Sequence, residues 1–353
     1  MKTTGPLLAL ASVFILGAAS ALADGPYHFI KEIPIGGEGG WDYLSLDSAA
    51  QRLYVSHGNE VVVIDLNNDK IVGEISNTPG VHGVAVASEL GLGVTSIGRE
   101  NKAGIVDLKT LQTLAKLDTA EGPDGYAYNS AEKEAYLFCG RANAVTVVDV
   151  KGQKVVATIP LGGRPEFAQA DPGLDRVFDN LENKSEVAVI DGKTHTVVTN
   201  WPVAPGEGPS GMAIDVKNHK LFLGCGGSKT MEMMDATTGK ILAGVPIGEG
   251  VDADAFDPGT RLAFASCGRS GTTTIAKEDG NNLTVVQTLQ TEPGARTMAL
   301  DPTTHKIYLA TARFETPANS AMTSTNQTSD RPRRERPRMV PGTFKILIYG
   351  IQK

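Results

Sequence analysis

Asp42-Tyr43-Leu44-Ser45-Leu46-Asp47, then Arg52-Leu53-Tyr54-Val55-Ser56-His57-Gly58, Val61-Val62-Val63-Ile64-Asp65 and Lys70-Ile71-Val72-Gly73-Glu74-Ile75, is the stretch that decides the fold. Its runs are short, rich in β-branched and aromatic residues, and separated by turn formers, which reads as four strands and three turns. The opening hexapeptide returns as HGVAVA from His82, DGYAYN from Asp124, EFAQAD from Glu166, SGMAID from Ser210, DADAFD from Asp252 and RTMALD from Arg296, a period of 40 to 44 residues. An Asp closing the third run keeps step at Asp65, Asp107, Asp149, Asp191, Asp235 and Asp279. A four-strand unit cannot bury both faces of its sheet alone, so a repeat of this length predicts stacked blades. Seven copies predict an all-β, seven-bladed propeller of four-stranded antiparallel blades.

The first and last segments complete this count. Tyr27 to Gly36 matches the fourth run of other copies, such as Ile159-Pro160-Leu161-Gly162 and Val245-Pro246-Ile247-Gly248, while Phe344 to Tyr349 matches a third run. The last blade therefore lacks a fourth strand of its own, and the N-terminal strand is expected to supply it, closing the ring and removing an exposed edge.

Leu53-Tyr54-Val55-Ser56, Ile307-Tyr308-Leu309-Ala310 and the pairing of Val62-Val63-Ile64-Asp65-type strands with Lys154 to Gly162 resemble the YVTN-repeat (YncE-like) propellers of bacterial periplasms and cell surfaces. That resemblance covers the mature chain and implies the fold. It implies no shared catalytic motif. A WD40 signature is not repeated, since Trp41-Asp42 occurs once.

Residues 1–23 carry Lys2, an apolar run from Leu7 to Ala19 and the small-residue sequence Ala21-Leu22-Ala23, the pattern of a secretory signal cleaved near Ala23. Residues 24–353 then form a single propeller domain, expected in the periplasm or secreted, monomeric and without a membrane span. Losing the signal removes only Lys2, so the mature chain is one unit more acidic than the formal −7 of the full sequence. That balance argues against general binding to nucleic acid or anionic lipid. The exception is a Ser-, Thr- and Pro-rich insert in blade 7, residues 315–342, read as disordered, whose Arg331 to Arg338 run is a weak polyanion candidate and whose position makes it a candidate lid. Cys139, Cys225 and Cys267 end second strands on different blades, too far apart for a disulfide, and are expected to be free and partly buried.

In a propeller the start of each first strand and the end of each second strand reach one face. The inner ring there is Asp42, His82, Asp124, Glu166, Ser210, Asp252 and Arg296, with Asp254 two residues deeper. The outer ring is His57, Ile97, Cys139, Asn180, Cys225, Cys267 and Ala312, followed by Arg99, Arg141, Arg269 and Arg313. Arg296 lies between Asp252 and Asp42 and is expected to be spent on them. His82, Asp124 and Glu166 are consecutive and lack an evident cation partner, the composition of a divalent-cation or protonated-His site.

Cys-x-x-Cys-His, His-Glu-x-x-His and Gly-x-Ser-x-Gly patterns are absent, as is a phosphate-binding glycine loop, and no cofactor is predicted. The leading reading is a non-catalytic exported scaffold that binds a small ligand or an envelope protein at the channel mouth through Asp42, His57, His82, Asp124, Glu166, Asp252, Asp254 and Arg296. Two alternatives are a propeller hydrolase of the lactonase or lyase kind, metal-assisted or not, using His82, Asp124 and Glu166, and a structural surface or adhesion protein.

Overall fold

The computed structural model describes residues 25–315 and 338–351. These form seven four-stranded antiparallel sheets arranged as propeller blades. Blade 1 is Leu44–Asp47, Arg52–His57, Glu60–Asp65 and Lys70–Ile75. The inner strands of the next five blades are Val81–Ala87, Pro123–Asn129, Pro165–Asp171, Pro209–Asp215 and Val251–Asp257. Blade 7 takes Met298–Asp301, Lys306–Thr311 and Lys345–Ile351 from the C-terminal part and Tyr27–Pro34 from the N-terminal part. The predicted signal, 1–23, and most of the Arg-rich run lie outside the described residues. Among the described residues no helix is long and apolar enough to cross a membrane.

Blade burial explains the sequence pattern. The second and third strands of blade 1 are buried almost throughout, because each face meets a neighbouring blade, whereas its outer strand is largely exposed. The core accordingly lies between blades. Tyr136 and Phe138 of blade 3 pack with Val177 and Leu181 of blade 4, and Phe178 packs with Leu221 and Leu223 of blade 5.

The repeated Asp residues hold turns and also link blades. Asp107 Oδ1 accepts from the Lys109 and Thr110 amides at 2.9 and 2.7 Å, and Asp65, Asp149, Asp191 and Asp235 make the same kind of bond. Asp279 departs from this, because its strand runs on into a tight hairpin and pairs with Asn282. In the inner-to-second turns, Asp171 Oδ1 accepts from the Gly173 amide while Oδ2 reaches His219 Nδ1 of the next blade at 2.6 Å. Asp257 repeats this with Gly259 and His305.

All three cysteines are free and fully buried, deeper than their sequence positions suggest. The last residue of a second strand points into the inter-blade core, and burial lifts the thiols, Cys139 to about 11 and Cys267 to about 12.

Ring closure is built as expected. Tyr27–Pro34 pairs antiparallel with Lys345–Ile351, with Ile33 opposite Ile346. Tyr27 is fully buried, its ring lies edge-on to Phe264 at 5.0 Å, and its backbone exchanges two hydrogen bonds with the Gln287 side chain of blade 6. Its hydroxyl donates to the His305 carbonyl at 2.8 Å. Replacing Tyr27 by Ala is expected to cost about 3–5 kcal/mol, read as a lower denaturant midpoint at unchanged slope. In the native protein the three thiols are expected to resist a thiol-reactive dye at pH 8, reacting fully only after denaturation.

Candidate functional site

The mouth depends on irregular strand starts. In blades 2 to 6 the inner strand shifts register at its opening, between Val81 and Val84, Pro123 and Tyr126, Pro165 and Ala168, Pro209 and Gly211, and Val251 and Ala253. His82, Asp124, Glu166, Ser210 and Asp252 sit within these shifts, and such bulges re-aim side chains. Asp42 and Arg296 precede the shorter inner strands of blades 1 and 7. Asp42, Asp124, Glu166, Ser210, Asp252 and Arg296 thereby line one cavity of about 320 Å³, and His82 joins Asp42, Asp124 and Arg296 along its rim.

Charge is arranged in three groups around this cavity. Arg296 binds Asp252, stands 3.4 Å from Asp42 Oδ1, and donates to the Trp41 carbonyl at 2.9 Å. His82 Nδ1 lies 2.7 Å from Asp42 Oδ2 and 3.0 Å from Asp124 Oδ1. Burial opposes a charge on His82, but the hydrogen bonds and charges of Asp124 and Asp42 outweigh it and raise the imidazole to about 10. Burial also raises Asp42, against the pull of His82. The shared proton belongs on the imidazole, the stronger base and the group within reach of both carboxylates. Glu166, the third group, pairs with Arg164, which also reaches Glu182 at 3.2 Å. Burial still lifts Glu166 to about 8, with Arg164 lowering it and Asp124 raising it.

These positions revise the expected grouping. The triad brought together is Asp42, His82 and Asp124, whose donor atoms lie within 4.8 Å of one another. Glu166 does have a cation partner, Arg164, two residues before it in the chain. Bound by two carboxylates, His82 is protonated at neutral pH and is a poor general base. The outer ring does not open to the mouth. His57 is 4% exposed and stacks on Phe344 at 4.5 Å, and Ile97, Cys139, Asn180, Cys225, Cys267 and Ala312 are likewise buried. The turn residues after them, Gly98-Arg99 and Gly140-Arg141, reach the mouth instead. Asp254 is buried, and its two carboxylate oxygens have no hydrogen-bond partner among the described residues; burial raises it well above the carboxylate range. The insert's described stem, where Phe314 bridges Met339, stands beside Trp41 at the mouth.

Tyr43 is the residue that sequence reading missed. Its ring meets Tyr126 at 5.3 Å and Phe167 at 4.8 Å, crossing the channel, and Tyr126 Oη meets Ser45 Oγ at 2.5 Å. This aromatic floor separates the charged mouth from a second cavity of about 420 Å³ beyond it, whose lining mixes Leu46, Val86, Phe256 and Leu300 with Gln169 and Asp254. Gly83 makes room for the floor, since a Cβ there would stand 2.2 Å from the Tyr126 ring, and Gly125 lets blade 3 pass the Glu166 carbonyl of blade 4, from which a Cβ would stand 2.5 Å. The contrast of Tyr43 with Gly83 and Gly125 at the same repeat position was the available signal.

No family model and no curated protein matches this chain. Solved structures do. RRP9 WD40 repeats match with TM-score 0.72 at 10% identity, over 92% of this chain and 98% of that one. U3-55K matches with TM-score 0.72 at 10% identity, over 90% and 98%. A chain of the mitotic checkpoint complex matches with TM-score 0.69 at 12% identity, over 88% and 95%. At such identities the likeness shows the propeller fold alone.

A raised folded-state pKa means stability present below the unfolded value and lost as pH climbs through the folded one. For His82 that window runs from 6.5 to about 10. Glu166 adds loss in the same direction from 4.5 to about 8. Thermal melts are expected to fall across pH 6.5–10 in the wild type and to fall less steeply in His82→Gln.

Proposed function

We propose that this chain is an exported YVTN-type propeller that works as a non-catalytic binding scaffold, seating a small polar ligand in its channel mouth. The carrying observation is a cavity of about 320 Å³ lined by Asp42, Asp124, Glu166, Asp252 and Arg296 and floored by Tyr43. That size lies at the lower end of small-molecule pockets. A ligand entering from the open side meets fixed charges of both signs and cannot pass through the ring. The hydrolase alternative has less support, because His82 holds a proton between Asp42 and Asp124 and the described residues that share its rim include no Ser or Cys nucleophile. Export rests on the signal pattern of residues 1–23.

The test is a thermal-shift panel of amino acids, dicarboxylates, sugar acids and polyamines on the wild type, Glu166→Gln, Arg141→Ala and, on the opposite face, Lys217→Ala. At least one compound is expected to raise the melting temperature by several degrees, with the shift lost in the first two variants and kept in the third. No shift with any compound, or a shift that survives both mouth substitutions, overturns the reading.

A further inference from the structure

We infer that Asp42, His82 and Asp124 are the ligands of a divalent-cation site at the channel mouth, with the Tyr43 hydroxyl beneath it. This rests on the mouth being the binding face and names what binds there first.

The first support is donor geometry. A first-row divalent ion bonded at about 2.1 Å places neighbouring octahedral donors about 3.0 Å apart. His82 Nδ1 stands 2.7 Å from Asp42 Oδ2 and 3.0 Å from Asp124 Oδ1. In the metal-free mouth the Nδ1 proton points at one carboxylate at a time, whereas a divalent cation displaces that proton to solvent and engages all three groups at once. Two carboxylates also neutralise a divalent charge. One imidazole with two carboxylates suits Mn²⁺ or Zn²⁺ better than the all-oxygen shell that Ca²⁺ takes.

The second support is independent of the cluster. Tyr43 is 7% exposed, so its ring is locked, while its hydroxyl makes no hydrogen bond among the described residues and opens into the mouth cavity. It lines the mouth cavity and lies under the charges of Asp124, Asp42, Glu166 and Asp252. A phenol whose ring is held in place and whose hydroxyl opens into the cavity can hydrogen-bond a ligand or the water carried by a bound ion.

The surroundings orient the donors. Asp42 gives Oδ1 to Arg296 and Oδ2 to His82, so the arginine fixes the carboxylate while leaving the facing oxygen for the ion. Gly98 makes room for the imidazole, since a Cβ there would stand 2.7 Å from Nε2. Remaining coordination positions face the open mouth, where an oxygen of the incoming ligand can take them.

The purified chain is stripped with chelator and titrated by calorimetry at pH 7.5 with MnCl₂, ZnCl₂ and CaCl₂ alone. One Mn²⁺ or Zn²⁺ per chain is expected, with weaker Ca²⁺ binding and a rise in melting temperature on adding the bound ion. Asp124→Asn and His82→Ala are expected to weaken binding at least tenfold, and Tyr43→Phe several-fold; melting curves without metal establish that each variant is folded. Absence of Mn²⁺ and Zn²⁺ binding at millimolar concentration overturns the inference, as does binding unchanged in both Asp124→Asn and His82→Ala. If the small-molecule panel depends on the mouth while neither metal binds, the cation site falls alone. If a metal binds and no panel compound responds in its presence, the ligand-binding reading falls and the cation site stands.

Discussion

Pairing of Tyr27–Pro34 with Lys345–Ile351 is the constraint on which the molecule depends. An open array of blades leaves a strand edge and an inter-blade face without partners, and the cost falls on both ends at once. Here the first described strand satisfies the last blade, and Tyr27 adds a buried ring and two backbone bonds to Gln287 on blade 6. Closure fixes the channel diameter, and with it the distance between side chains 40 or more residues apart in sequence. Asp42 and Arg296 meet only because blades 1 and 7 are neighbours across this seam.

Within the closed ring, the two ends of the channel differ in chemistry for a local reason. On one side the inner strands start with bulges, and charged side chains turn into the opening. On the other, regular pairing presents Leu46, Val86, Ile214, Phe256 and Leu300, and the turns are capped by Asp residues that also hold the next blade. The aromatic floor of Tyr43, Tyr126 and Phe167 stands between the charged mouth and the far cavity, where those apolar side chains mix with Gln169 and Asp254. Burial at the mouth raises the protonation of Glu166, whereas at His82 the neighbouring carboxylates of Asp124 and Asp42 hold positive charge against the opposing effect of burial.

Much of the fold was legible in the chain. A 40-to-44-residue period, the Asp markers and the matching terminal runs specified seven blades and the shared last one, because strand alternation and turn chemistry are local properties. The inner ring was also readable by repeat position, and Arg296 was correctly placed on Asp42 and Asp252. The second-strand ends were misread as mouth residues. Strand position gives the height of a residue along the blade but not the packing depth around it, and His57 and the cysteines are held in the inter-blade core.

The sequence alone determined the number of blades, their order and the ring of charged positions, since each follows from a repeat whose period and hydrophobic pattern are written locally. Tertiary structure decided which of those charges act together. Bulges turned the side chains inward, the closed ring put Asp42 beside His82, and Arg164 drew Glu166 away. Tyr43 acquired its place as the floor in the same way, because a side chain spanning a channel is defined by what stands opposite, and opposition across a ring is set only when the ring closes.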